Sequence, residues 1–190
     1  MKLEPRFLEK VANSAIQEGI ADIVYSEFDT PLGRLLVARS DKGVCLIAYP
    51  GESQHALLGR LSTSLSPRIV LSQEALAKTQ AIIISYLEGH TSSIDIPVDL
   101  TLVTSEFGRR VLDNVSLVAR GRVTSYGRLA QECGHPGAAR AAGTALGRNP
   151  VPIVVPCHRV LPSTGIVGGY GGGSWRKQYL LELEGALPKS

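Results

Sequence analysis

The chain has 190 residues, a net charge of +3, 44% hydrophobic and 19% charged residues, which suits one or two small domains with a proper core. Its apolar runs are far too short for a membrane-spanning helix, so no membrane partner is expected. Three cysteines (Cys45, Cys133, Cys157) and four scattered histidines (His55, His90, His135, His158) lack metal-ligand spacing. They argue for a reducing compartment and against a disulfide scaffold or a metal site. No basic segment followed by a hydrophobic core opens the sequence, so no secretory signal is expected, and the expected location is cytoplasmic, or nuclear in a eukaryote. The charge is divided unevenly: residues 1–100 carry 9 Lys/Arg against 12 Asp/Glu, and residues 101–190 carry 11 against 5. The second half is basic, as a phosphate-binding half would be, although a solvated basic face gives the same count.

Residues 4–18 predict an amphipathic helix, with Pro5 in its first turn, Gly19 at its end, and Leu8, Val11, Ala12, Ala15 and Ile16 on one face. Strand-like runs follow at Ile23–Phe28, Arg34–Ala38 and Val44–Tyr49, separated by the turn signals Thr30-Pro31-Leu32-Gly33 and Ser40-Asp41-Lys42-Gly43. They predict a three-stranded antiparallel meander with Cys45 as plain core. A helix is predicted around Gln54–Ser62, and a stronger one from the N-cap Ser72 to Glu88, closed by Gly89. Nothing in this half suggests chemistry. Thr91 to Asp99 predicts a linker with a last extended piece. The expected division is a helical extension at 1–20, a small α/β support domain at 21–100, and a mostly helical domain at 101–190.

The second domain opens with a helix about Ser105–Val118, whose apolar face is Phe107, Val111, Leu112, Val115 and Val118. Ser125 can cap a short helix, Tyr126–Cys133; Gly134-His135-Pro136-Gly137 breaks it, and a second helix runs about Ala138–Leu146. Two short helices joined by a tight glycine-containing turn read as helix-turn-helix. The second helix is almost bare: Ala138, Ala139, Ala141, Ala142, Gly143, Ala145 and Gly147. A helix with ordinary side chains is roughly 10–12 Å across and the DNA minor groove only about 6 Å wide, so a bare helix needs the least groove widening. Small residues equally permit close packing on neighbouring helices, and composition alone does not separate the two readings. Arg140 is the one long side chain in the middle of that surface.

The stretch Ile153-Val154-Val155-Pro156-Cys157-His158-Arg159-Val160 sets a thiol, an imidazole and a guanidinium side by side in an apolar segment punctuated by Pro150, Pro152, Pro156 and Pro162. Proline excludes a helix here and leaves at best an interrupted strand. Most free cysteines are inert core residues whose thiol pKa is raised by burial, so Cys157 is useful only if something takes its proton. His158 is adjacent, but neighbours on a strand point to opposite faces. A direct bond is therefore not expected; a tight turn or a bridging water is needed, and a third group must orient the imidazole. A glycine-rich loop, Gly165 to Gly173, follows, either as simple connection or as backbone that approaches a ligand closely.

Pro156-Cys157-His158-Arg159-Val160 resembles the active-site signature of the O6-alkylguanine-DNA alkyltransferases. Gly121-Arg122-Val123-Thr124-Ser125-Tyr126-Gly127-Arg128-Leu129-Ala130, Ala138-Ala139-Arg140-Ala141-Ala142-Gly143, Arg148-Asn149-Pro150, Gly168 to Gly173 and Leu180-Leu181-Glu182-Leu183-Glu184-Gly185 continue the resemblance. It is specific over residues 101–190 and loose over 22–100. It implies an α+β fold with a winged helix-turn-helix in the second domain. It also implies a monomer that binds double-stranded DNA carrying alkylated guanine, with O4-alkylthymine as a second candidate lesion. The implied reaction is direct, single-turnover transfer of the alkyl group to Cys157, with no cofactor. Some relatives carry zinc in the first domain; no basis for it is visible here.

By the same resemblance, His158 takes the thiol proton through a water and Glu184 holds the imidazole. Tyr126 protonates the departing guanine, with Lys177 polarising that transfer. Thr124, Ser125, Tyr126, Ala138, Ala139, Ala141 and Gly143 belong to the DNA-binding face, and Arg140 fills the space of an extruded nucleotide. Asn149 and Arg159 support the site backbone. Pro152, Val160, Tyr170, Gly171 and Gly172 belong to the substrate pocket. The chain departs from the family at Leu112 (usually tryptophan), Ala119 (usually proline) and Gly171 (often serine or alanine), the last predicting a looser pocket. A cysteine hydrolase using Cys157, His158 and Glu184 would explain neither the bare helix nor Arg140. A non-enzymatic damage sensor would not need Cys157.

Overall fold

The computed structural model describes residues 4–188. The chain forms two compact units: one runs to Glu88 and resumes at Ile94–Leu102, and the other takes Gly89–Ser93 and the chain from Val103 onward. The predicted extension helix belongs to the first unit.

The first unit contains α1 (Pro5–Gln17), β1 (Ile23–Phe28), β2 (Leu35–Arg39), β3 (Val44–Ala48), α2 (Gln54–Ser64), β4 (Ile69–Leu71) and α3 (Gln73–Leu87). The antiparallel meander β1–β2–β3 is present, but the sheet is four-stranded and mixed, in the order β3-β2-β1-β4. β4 runs parallel to β1, Ile23 opposite Ile69, which corrects the expected three-stranded antiparallel sheet. At three residues, wedged between one helix and the cap of the next, β4 is too short to show the alternation that marks a strand. Ile23, Leu36, Ala38, Leu46, Leu57 and Leu61 form the core, with Cys45 among them. Burial pushes the Cys45 thiol up to about 12, and it is plain core.

The extended piece expected at the end of 91–99 docks on the sheet. Val44 N donates to Pro97 O (2.8 Å) and Asp99 N to Val44 O (2.9 Å), so residues 97–99 line the outer edge of β3. α3 is capped by Ser72, whose hydroxyl accepts from Ala75 N at 3.1 Å, and Gly89 (φ 77°) closes it. Glu9 of α1 adds a second cap. Its carboxylate accepts from the Ser72 hydroxyl and from the amides of Gln73 (3.3 Å) and Glu74 (3.2 Å). A carboxylate suits a helix N-terminus, where unpaired N–H groups and the dipole present positive charge. α1 docks through this contact and through Ala12, while Leu8 and Val11 of its predicted apolar face stay 47% and 52% exposed.

The second unit contains α4 (Glu106–Ser116), β5 (Thr124–Ser125), α5 (Tyr126–Glu132), α6 (Ala139–Gly147), β6 (Val160–Leu161) and α7 (Ser174–Leu183). α4, α5 and α6 pack on one another through Val111, Leu112, Leu129, Ala130, Ala142 and Leu146, all buried. Gly134 and Gly137 adopt positive φ in the turn between α5 and α6. β5 and β6 pair in parallel, Thr124 opposite Val160, and so bring the start of α5 beside the end of the reactive stretch. Among the described residues no helix is long and apolar enough to cross a membrane, and no group of three or more His, Cys, Asp or Glu side chains is placed to hold a metal ion.

Candidate active site

The reactive stretch is built from turns. Val155 N donates to Val151 O (3.0 Å), closing a loop in which buried Ile153 has φ 77°. A β-branched residue in the left-handed region costs roughly 1–2 kcal/mol, and surrounding structure must hold it there. After Pro156, Cys157–Arg159 make a single 3₁₀ turn that leads into β6. Successive side chains on such a turn diverge by about a third of a revolution. Cys157 lines a cavity, whereas His158, adjacent in sequence, is completely buried.

His158 Nε2 lies 2.7 Å from Oε1 of Glu184, and both side chains are fully buried. A carboxylate only accepts, so Nε2 carries the proton and Nδ1 keeps its lone pair. That Nδ1 is buried and has no hydrogen-bond partner among the described residues. Burial holds the imidazole pKa below 6.5, partly offset by Glu184, so the ring is a neutral base at rest. Glu184 also receives Arg159 Nε (2.8 Å, on Oε2) and Nη2 (3.1 Å, on Oε1). Arg159 Nη1 donates to Val118 O, and Arg120 Nη2 to Leu183 O at 2.8 Å, next to Glu184 at the end of α7. Sequence reasoning gave Arg159 a backbone role and missed its pairing with Glu184. No local signal links residues 25 apart.

Burial raises the pKa of the Cys157 thiol, while hydrogen bonding from Asn149 and Tyr170 and the charge of Lys177 act against that rise. Asn149 is fixed by Nδ2 donating to Val155 O (2.9 Å) and Oδ1 accepting from Val151 N (3.0 Å). Lys177 is 1% exposed; its Nζ donates to Val160 O (2.6 Å) and lies 5.8 Å from the Tyr126 ring centroid. Burial lowers the Lys177 pKa and the neighbouring Cys157 pulls it back up. Burial, then the charge of Cys157, raises that of Tyr126.

Cys157, Tyr126 and Lys177 face a cavity of about 240 Å³. Gly143, Leu146 and Gly147 of α6 form one wall, and Gly169, Tyr170 and Gly171 another. Pro152, Val160 and Gly172 are buried and are not among its lining residues. Sequence reasoning missed Leu146, Gly147 and Gly169, although the bare composition of α6 was the available signal. On the outside of α6, Arg140 and Ala141 are exposed and Ala138 and Ala139 half-buried; Ala138 is the N-cap rather than the first helical residue. Arg140 has no side-chain partner among the described residues. The Ser125 hydroxyl caps α5 by accepting from Arg128 N (3.2 Å), and the Thr124 hydroxyl is buried without a partner. A larger cavity, about 510 Å³, lies in the first unit among Asp22, Arg39, Lys42 and Asp99. Its lining includes no thiol, whereas Cys157 lines the smaller one.

The ribonuclease-like domain of 6-O-methylguanine DNA methyltransferase matches residues 23–100, and the DNA-binding domain of the same family matches residues 106–186. The methylated-DNA–protein-cysteine methyltransferase of Mycolicibacterium paratuberculosis is 39% identical over 85% of this chain and 92% of its own. The chain belongs to the 6-O-methylguanine DNA methyltransferase family. The methylated-DNA–protein-cysteine methyltransferase of Methanosarcina acetivorans is 31% identical over 85% of this chain and 98% of its own. Among solved structures, Mycobacterium tuberculosis OGT in complex with DNA is similar at TM-score 0.74 and 32% identity, over 86% of this chain and 93% of that one. The O6-methylguanine-DNA methyltransferase of Pyrococcus kodakaraensis is similar at TM-score 0.62 and 28% identity, over 86% and 99%. These likenesses extend over both units, including the first, where the sequence motifs were weakest.

Proposed function

We propose that the chain repairs DNA by moving one alkyl group from O6 of guanine in a duplex to Sγ of Cys157, each molecule acting once, as a monomer and without a cofactor. The observation that carries this reading is the arrangement at the cavity: a thiol on the cavity side, and behind it a neutral imidazole with a free Nδ1, fixed by a buried carboxylate that Arg159 also engages. A thiol with a raised pKa needs a base, and Nδ1 is the base available. A water carries the thiol proton to Nδ1, and Glu184 stabilises the imidazolium. Sγ attacks the alkyl carbon; the S–C bond forms as the C–O6 bond breaks, and its electron pair moves onto the guanine. The Tyr126 hydroxyl gives that base a proton, with the Lys177 ammonium beside it favouring the transfer.

O6 is out of reach inside a stacked duplex, so the nucleotide has to be extruded, which costs a few kcal/mol. α6 enters the minor groove on its small residues, and unpartnered, exposed Arg140 stacks where the base has left. The main chain of Thr124 and Ser125 faces the DNA backbone at the start of α5. Space at Gly171 supports a broad alkyl range: a Cβ built there meets only Gly147 O, at 3.9 Å. Benzyl groups should therefore transfer as well as methyl, and O4-alkylthymine is the second lesion to try. The deciding experiment mixes the protein with duplex DNA carrying one O6-methylguanine and measures intact mass, then maps peptides. One methyl group on Cys157, with no turnover under excess DNA, is the expected result. DNA binding without a mass gain would overturn it in favour of a sensor.

A further inference from the structure

One wall of the cavity is the segment 168–173, in which five of six residues are glycine and only Tyr170 carries a side chain. Glycine loses more conformational freedom on ordering than any other residue, so such a wall has little intrinsic shape. Something outside the loop has to hold it. The Tyr170–Gly173 turn is closed by Gly173 N donating to Tyr170 O (2.8 Å), and Gly168 lies against the Pro162 ring. A further tie comes from the first turn of α7. Arg176 Nη1 donates to Gly172 O, and its guanidinium lies over the Trp175 indole, 4.4 Å from the ring centroid. Trp175 is 51% exposed, so it is not a core residue; its ring covers the guanidinium and borders Gly173.

We infer that Arg176, stacked on Trp175, is a positioning residue that clamps the glycine loop as the wall of the alkyl pocket and so holds Tyr170 against Cys157. The inference rests on the alkyl-transfer reading for its kinetic consequence and on geometry alone for its structural one. The stacked guanidinium supplies what the loop lacks: a planar donor fixed on one side by the indole, aimed at a carbonyl two residues past Tyr170. The next residue, Lys177, lines the same cavity, so one helical turn both sets the wall and delivers a cation to the site. A lysine at position 176 would keep the charge but not the planar stack.

The test compares wild type with Arg176→Ala, Arg176→Lys, Trp175→Ala and Trp175→Phe. Methyl and benzyl transfer rates from duplex DNA are measured, together with amide hydrogen exchange over residues 168–173 and over α7. Misplacing a reacting group by an ångström can cost about a hundredfold in rate, so methyl transfer should fall by roughly tenfold to a hundredfold in Arg176→Ala and Trp175→Ala. Arg176→Lys should not restore it and Trp175→Phe should. A benzyl group, which fills more of the pocket itself, should lose less, so the benzyl-to-methyl ratio rises. Loop amides should exchange faster while those of α7 do not change, which separates a clamp from general destabilisation. Unchanged loop exchange and unchanged rates in Arg176→Ala and Trp175→Ala would overturn the inference, as would rescue by Arg176→Lys. If the wild type transfers no methyl group, the functional reading fails by itself, and the exchange comparison still decides the clamp. The tryptophan variants keep it decidable if the arginine variants do not fold.

Discussion

Replacing Glu184 by glutamine keeps the shape of the side chain and removes its charge. In the native site that carboxylate accepts from His158 at 2.7 Å and from Arg159 at 2.8 and 3.1 Å, with the side chain fully buried. Opposite unit charges about 4 Å apart attract by roughly 4 kcal/mol at an effective dielectric constant of 20, and a hydrogen bond to a charged group contributes about 1.5–3 kcal/mol net. In the resting enzyme the imidazole is neutral, so the immediate loss is the counter-charge of Arg159; breaking a buried ion pair of this kind costs about 3–5 kcal/mol of stability. In the proposed transfer the imidazole gains a proton, and losing the stabilisation of that charge, about 3 kcal/mol, should slow the chemical step on the order of a hundredfold. Urea denaturation gives the first figure, and rapid-quench single-turnover transfer from O6-methylguanine duplex gives the second. Glu184→Asp tests position rather than charge and should recover part of the stability. A Glu184→Gln protein with wild-type stability that transfers within about threefold of the wild-type rate would refute the assignment of Glu184 as the group that stabilises the imidazolium.

Stability should depend on pH at both ends. The folded His158 pKa lies below 6.5, so the unfolded chain binds the extra proton first and stability is lost as pH falls below 6.5; the folded Cys157 pKa lies above 9.0, so the unfolded chain loses its proton first and stability is lost as pH rises above 9.0. Each group contributes a slope of up to about 1.4 kcal/mol per pH unit, and Cys157→Ser should flatten its share of the alkaline limb of a urea-midpoint profile. Gly43 has φ 145°, and a Cβ there would sit 2.4 Å from the carbonyl carbon and oxygen of Pro97. Gly43→Ala should therefore cost roughly 4 kcal/mol or more, and a cost under 1 kcal/mol would show that residues 97–99 are not seated against β3. At Ile153 both truncations lose buried side-chain volume, yet glycine accepts φ 77° freely and alanine does not. Ile153→Gly should be more stable than Ile153→Ala by about 1 kcal/mol in thermal denaturation, the reverse of the usual order.

The parts of this fold that were legible are those written in local chemistry. Ser72 and Ser125, expected as caps, each precede a helix and accept from an amide three residues on, whereas Ser105, expected as the first residue of its helix, is the cap of α4; positive-φ glycines stand where turns were expected, at Gly33, Gly89 and Gly134. These are contacts within a few residues, and residue type alone predicts them. The fourth strand was not legible, because β4 has three residues and is defined by its partner β1, 46 positions away. Nor was the docking of residues 97–99 on β3, since Pro97, Val98 and Asp99 carry no pattern until Val44 is beside them.

The site divides along the same line. Cys157, His158 and Glu184 could be named because a motif carries them, but what each does depends on which way its side chain turns. The 3₁₀ turn at Cys157–Arg159 sends adjacent residues to different surroundings, one to the cavity and one to the carboxylate on α7. The left-handed Ile153 works in the same direction. No sequence rule places a β-branched residue there, because its conformation is unfavourable locally and needs the hydrogen bonds that tie Val151 to Val155 and Asn149 to both. The Cys157 thiol, held by a strained turn, an asparagine and a loop of glycines, depends on the whole second unit for its geometry. The residues that supply that geometry, Arg159 on Glu184 and Arg176 on the loop, are those whose partners lie outside any motif.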